Sequence, residues 1–180
     1  HLMRTVPAAG RVLHRLGDSA LDAVLAEGCW TACESFAVID AADGVAQGDW
    51  RAQPLAADGS AFSLAHRDEA VDVTWPLLGQ HNMENALAAS GLAHHVGVPL
   101  KVIAEGLMTF RGVKRRLELI GDCGGVRVYD DFAHHPTAIA TTLAGMRQAV
   151  WQPVILLTGC IGLLAMLSRP TYLEQGRSSN

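Results

Sequence analysis

The order of hydrophobic and polar positions along the chain predicts a mixed α/β protein. Near the start, Arg11–Leu13 reads as a short strand. Asp18 is placed to cap a helix through Glu27, with Leu21, Val24 and Leu25 on one face and Gly28 as its stop. Phe36–Ile39 is an apolar strand. Turn signals follow at Asp43-Gly44 and Asp58-Gly59, and the second separates the strands Trp50–Leu55 and Phe62–His66. Val71–Trp75 alternates as a third strand, so Ala46–Trp75 predicts a small antiparallel meander.

The texture then turns helical. Asn82 to Val96 carries Ala86, Leu87, Ser90 and His94 at helical spacing, and Gly97 ends it. Pro99 opens a second helix through Met108. The basic stretch Phe110–Arg116 marks a domain boundary. Beyond it, Leu117–Gly121 and Val126–Tyr129 predict a hairpin across Asp122-Cys123-Gly124-Gly125. A loop, Asp130–His135, leads into a helix over Pro136–Ala149, and Val154–Thr158 is the next strand. Strand, helix and strand in that order imply a parallel sheet.

Composition narrows the class. Apolar residues are 49% and charged residues 18%, as a packed core requires. A formal net charge of −4 gives no electrostatic draw to nucleic acid or an anionic membrane. With 6% aromatics a base-stacking surface is not expected either. Val154–Leu167 is wholly apolar apart from Thr158, Gly159 and Gly162. It is shorter than the ~20 residues of a spanning helix, and reads as a buried strand followed by an apolar turn. Cys29, Cys33, Cys123 and Cys160 form no C-x-x-C pair, which fits reduced thiols in a cytoplasmic protein. No signal peptide is evident, and the first residue is His1 rather than Met, as if the chain were cut from a longer one.

Three clusters could carry chemistry. Asn82 and Asn85 lie three apart in His81-Asn82-Met83-Glu84-Asn85, on one side of a helix start. Their amides offer a donor and an acceptor together, as an adenine edge does; an N-cap would explain Asn82 equally well. Lys114-Arg115-Arg116 offers guanidinium forks for phosphate, or a solvated basic linker. Asp130-Asp131-Phe132-Ala133-His134-His135-Pro136 lies where a strand passes into a helix, the end at which open α/β sheets bind ligands. Its carboxylates could hold ribose hydroxyls, could join the histidines around a divalent metal, or could cap the helix.

Taken together, GQHNMENALAAS, FRGVKRRLELIG and VYDDFAHHPTAIATTL resemble the Mur ligases, ATP-dependent amide-forming enzymes of peptidoglycan synthesis. The resemblance runs from about Arg4 to Ala149, and FAHHPTAI is most similar to the murein-recycling branch. It implies the end of a central ATPase domain over residues 1–110, then the start of a Rossmann-like C-terminal domain over 111–158. Residues 159–180 form a tail without a recognised motif. By the same resemblance Asn82 and Asn85 approach the adenine, Arg116 reaches the phosphates, Asp131 holds the ribose and His134 lies on the phosphate side. Arg116 and His134 are then the catalytic candidates. The implied reaction uses ATP and Mg²⁺ to join a peptide to UDP-N-acetylmuramate through an acyl-phosphate.

The chain contains no G-x-x-x-x-G-K-[ST] phosphate loop. The family's Mg²⁺-binding Glu and UDP-sugar domain precede the matched region. The expectation is therefore part of a ligase, inactive without the remainder. The alternatives are the L-alanine-adding branch of the family, or a non-catalytic module that keeps a nucleotide-binding surface. Folylpolyglutamate synthases share the architecture, but the doubled His after an Asp pair speaks against them.

Overall fold

The computed structural model describes residues 2–39, 48–133, 135–149, 154–158 and 163–167. The chain divides into two compact units, His1–Arg111 and Gly112–Asn180.

The first unit opens with a short 3₁₀ turn, Leu2–Arg4, and builds one five-stranded sheet. Its strands are β1 (Val12–Arg15), β2 (Cys33–Val38), β3 (Trp50–Pro54), β4 (Ala61–His66) and β5 (Glu69–Thr74), in that spatial order. The predicted meander is β3–β4–β5, antiparallel throughout. It is not a separate sheet, because β1 and β2 add to β3 in parallel. The β1–β2 ladder pairs Val12 with Cys33, so β2 begins three residues before the apolar run that signalled it.

Alternation decides which side is core. Along β4, Phe62, Leu64 and His66 are buried while Ala61, Ser63 and Ala65 are less so. Against that face lie α2 (Gln80–His95) and α3 (Leu100–Thr109), α2 across β1, β2 and β3 and α3 over β5. The shared core joins Trp50, Phe62, Leu64, Val73 and Trp75 of the sheet region to Met83, Leu87, Leu100 and Ile103 of the helices. Fully burying one such side chain contributes roughly 1.5–3 kcal/mol.

His66, which had no partner in the sequence, stacks on Trp50 with ring centroids 4.1 Å apart. His94 meets the same pair edge-on. Helix α1 (Ser19–Ala26) is capped by Asp18, whose carboxylate accepts from the amides of Ala20 and Leu21. It buries no residue, and the expected apolar positions Leu21 and Val24 remain exposed.

The second unit holds β6 (Glu118–Cys123), β7 (Val126–Asp131), α4 (Pro136–Ala149), β8 (Val154–Thr158) and β9 (Leu163–Leu167). The β6–β7 hairpin turns on Gly124 and Gly125 alone, at φ of 58° and 81°. A two-residue loop of this kind needs positive φ at both positions, so Asp122 and Cys123 are left free to extend β6. Helix α4 connects β7 to β8, and the two strands pair in parallel as expected. That ladder carries β7 through Asp130 and Asp131, which the sequence had placed in a loop. The apolar stretch after β8 also differs from expectation. Leu163–Leu167 is not a turn but a strand, paired antiparallel with β8. Its five apolar residues include no turn former. Residues 159–162, 150–153 and 168–180 lie outside the described residues, as does the turn signal Asp43-Gly44. No helix among the described residues is long and apolar enough to cross a membrane.

Candidate functional site

In the first unit, the start of α2 sets the position of both asparagines. The helix is preceded by Gly79 at φ 88° and ψ 151°, with no side-chain cap. Gly79 is pinned by the β3–β4 hairpin, since its amide donates to the Asp58 carbonyl at 2.7 Å. A Cβ on Gly59 would lie 3.1–3.3 Å from the Gly79 backbone, so the approach depends on glycine there. The hairpin tip is itself braced. Asp58 Oδ1 accepts from the Ser60 amide and hydroxyl, and Trp75 Nε1 donates to the Gly59 carbonyl at 2.9 Å.

Asn82 therefore sits inside the helix and is not its cap. Its Nδ2 donates to the Leu78 carbonyl at 2.8 Å, which fixes the amide plane. Asn85 is exposed on the same helix. Glu84, between them, pairs with Arg15 Nε at 3.1 Å and accepts from Gln80.

In the second unit, the clusters Lys114-Arg115-Arg116 and Asp130–Ala133 are brought together. Asp131 is buried at the end of β7, 4% exposed. Its Oδ2 accepts from the Leu117 amide at 2.9 Å and its Oδ1 from the Ala133 amide at 2.7 Å. It thus forms a turn over Phe132 and does not cap α4. Each oxygen keeps a further lone pair for another donor. Asp130 pairs with Arg115 Nε at 3.2 Å, and the Arg115 guanidinium lies 5.4 Å from the Phe132 ring centre.

Arg115 and Leu117 adopt φ of 61° and 52°, unusual for residues with a Cβ. Such backbone costs about 1–3 kcal/mol per residue and persists where surrounding contacts enforce it. Arg116 lies between them, exposed, with its amide donating to the Val113 carbonyl. Lys114 is exposed as well. Arg115 had no assigned role in the sequence; its spacing to Glu118, whose Oε2 accepts the Arg115 amide at 2.9 Å, was the available signal.

The asparagines thus belong to the first unit, and Arg116 and Asp131 to the second. His134 lies outside the described residues. Among the described residues no group of three His, Cys, Asp or Glu side chains is arranged to hold a metal ion. Asp130 and Asp131 are already engaged by Arg115 and by backbone amides, so they offer no ready Mg²⁺ set.

Residues 115–177 match the Mur ligase, glutamate ligase domain family, a span that runs past Thr158. The UDP-N-acetylmuramate–L-alanyl-γ-D-glutamyl-meso-2,6-diaminoheptandioate ligase of Escherichia coli is 44% identical over 151 residues, covering 83% of this chain and 31% of that protein. A UDP-N-acetylmuramate–L-alanine ligase of Acidithiobacillus ferrooxidans is 46% identical over 98 residues, 52% of this chain and 21% of its own. The crystal structure of a murein peptide ligase from Psychrobacter arcticus superposes with a TM-score of 0.65 at 40% identity, covering 83% of this chain and 31% of that one. The chain spans about a third of the length of the curated murein ligases it matches. Over residues 115–177 the chain thus carries the Mur ligase, glutamate ligase domain, and over 83% of its length it is similar to murein peptide ligases.

Proposed function

We propose that this chain supplies the nucleotide-contacting end of a cytoplasmic ATP-dependent ligase that joins a murein tripeptide to UDP-N-acetylmuramate. The observation that carries the reading is the 44% identity over 151 residues to a ligase of that name. The match to an L-alanine ligase is shorter, at 98 residues, which favours the tripeptide as the amine. In this reading residues 1–110 close the central ATPase domain and 111–158 open the Rossmann-like domain.

The reaction transfers a phosphoryl group to the sugar carboxylate, and the peptide amine then displaces phosphate from the acyl-phosphate. Mg²⁺, where bound, would neutralise charge on the phosphates. Its ligands are assigned to none of the described residues.

The residues of this chain position the nucleotide. Asn82 and Asn85 present amides to the adenine, Asn82 with its plane already set by Leu78. Asp131 keeps acceptor capacity for a ribose hydroxyl. Arg116 presents a planar fork to phosphate oxygens, which a lysine cannot imitate. By its place in the motif, His134 serves the phosphates.

The test is steady-state kinetics in the complete ligase. Losing a charged hydrogen bond costs about 1.5–3 kcal/mol, or ~10–100-fold in binding. Arg116→Ala and Asp131→Ala are each expected to raise KM for ATP by that factor, and Lys114→Ala by much less. Equal effects of Lys114→Ala and Arg116→Ala would overturn the assignment.

A further inference from the structure

The bend through Arg115 and Leu117 is held from two sides by carboxylates. Asp131 takes the Leu117 amide, and Glu118 takes the Arg115 amide. A backbone bond closes the arrangement, the Phe132 amide donating to the Arg115 carbonyl at 2.7 Å. Asp130 holds the Arg115 side chain from the same strand end. No glycine relieves the left-handed backbone at 115 or 117, so these contacts enforce it. Among the described residues nothing engages the exposed Arg116 side chain, and its direction follows from the two left-handed residues flanking it.

We propose that Asp131 and Glu118 form a clasp that aims Arg116, which makes Asp131 a positioning residue in addition to any contact with nucleotide. The aim of Arg116 rests on the phosphate reading given above; the clasp itself does not. Without the Asp131 carboxylate, the Leu117 and Ala133 amides lose their acceptor. The bend can then relax toward right-handed backbone and carry the Arg116 side chain away.

Two measurements separate the parts. The first is amide hydrogen exchange and trypsin cleavage on this chain, with no nucleotide. Asp131→Asn keeps one acceptor oxygen for two amides. It is expected to raise exchange at Leu117 or Ala133 at least 10-fold and to speed cleavage at Lys114–Arg116, while the Leu87 amide in the other unit stays protected. Glu118→Ala is expected to raise exchange at Arg115 several-fold, and serves if the first variant fails to fold. Unchanged exchange at these amides in a folded variant would overturn the clasp.

The second is a double-mutant cycle on ATP kinetics in the complete ligase. If Asp131 acts partly through Arg116, the combined effect of Asp131→Asn and Arg116→Ala is smaller than the product of the two single effects. If the two effects multiply, the positioning role is overturned and an independent contact stands in its place. If Arg116→Ala leaves ATP kinetics unchanged, the phosphate reading fails, and the aiming role built on it fails with it. The exchange result then still decides whether the clasp exists.

Discussion

Two helical glycines in the first unit should respond oppositely to alanine. Gly91 lies where α2 crosses the sheet. A Cβ there would stand 2.5 Å from Leu13 Cδ1, 2.9 Å from Leu13 Cγ and 3.2 Å from Trp50 Nε1. Carbon atoms rest at roughly 3.5–4.0 Å, so about 1 Å must be found. Leu13 is only partly buried and can swing aside. Trp50 cannot, being fully buried with its Nε1 donating to Glu34 Oε2 at 2.8 Å, while Glu34 in turn pairs with Arg11 at 3.3 Å. Overpacking of this kind costs ~1–3 kcal/mol, against a gain of ~0.8–1.0 for alanine over glycine in a helix.

The net expectation for Gly91→Ala is a loss of about 0–2 kcal/mol. Gly106 on α3 is exposed and has nothing within 4 Å of its Cβ position, so Gly106→Ala should gain nearly the full propensity term. For a chain of this size, 1 kcal/mol moves Tm by roughly 2–4 °C. Both glycines belong to the same unit, so one thermal or urea transition reports both. Gly106→Ala should melt about 2–4 °C higher and Gly91→Ala at or below wild type. Adding Leu13→Ala to Gly91→Ala should cost less than the sum of the two single changes. If Gly91→Ala stabilises as much as Gly106→Ala, the close approach of α2 to β1 and β3 is wrong.

Burial lowers the pKa of His66, the nearby His94 and Arg67 lower it further, and Glu34 and Asp49 oppose them. The unfolded chain binds this proton near pH ~6.5 and the folded chain only at lower pH. Stability from this site is therefore complete above that value and falls as pH drops below it. Melting from pH 7.5 to 5.5 should show the loss in wild type and a shallower slope in His66→Phe. Asp58→Ala removes the acceptor for the Ser60 amide and hydroxyl, at about 1–2 kcal/mol, and should raise exchange at the Gly79 and Asn82 amides; protection unchanged at both would show that the hairpin does not brace α2.

Elements with local signals were legible before the fold was known. Asp18 and Gly28 bracket α1, Gly97 follows α2, and Gly124-Gly125 sets the β6–β7 turn, because caps and positive φ are properties of single residues. Pairings over distance were not. Nothing local says that β1 and β2 join β3 in parallel, or that Leu163–Leu167 finds a partner in β8. The site divides in the same way. Asn82, Asn85, Arg116 and Asp131 stand out by residue type and motif order. The partner of Asp131 is a backbone amide fourteen positions away at Leu117, which no side-chain pattern encodes. Arg115 was hidden for a similar reason, since its role depends on backbone angle and on the strand end beside it.

A murein tripeptide is the amine we propose for the complete ligase. The direct measurement supplies the complete ligase carrying this sequence with ATP, Mg²⁺ and UDP-N-acetylmuramate, then offers L-alanyl-γ-D-glutamyl-meso-diaminopimelate or L-alanine in parallel, with products read by mass spectrometry. The expected product is the UDP-muramoyl-tripeptide, formed with equimolar ADP, with no product from L-alanine. A product from L-alanine alone, or no ATP-dependent product from either amine, would contradict the proposal.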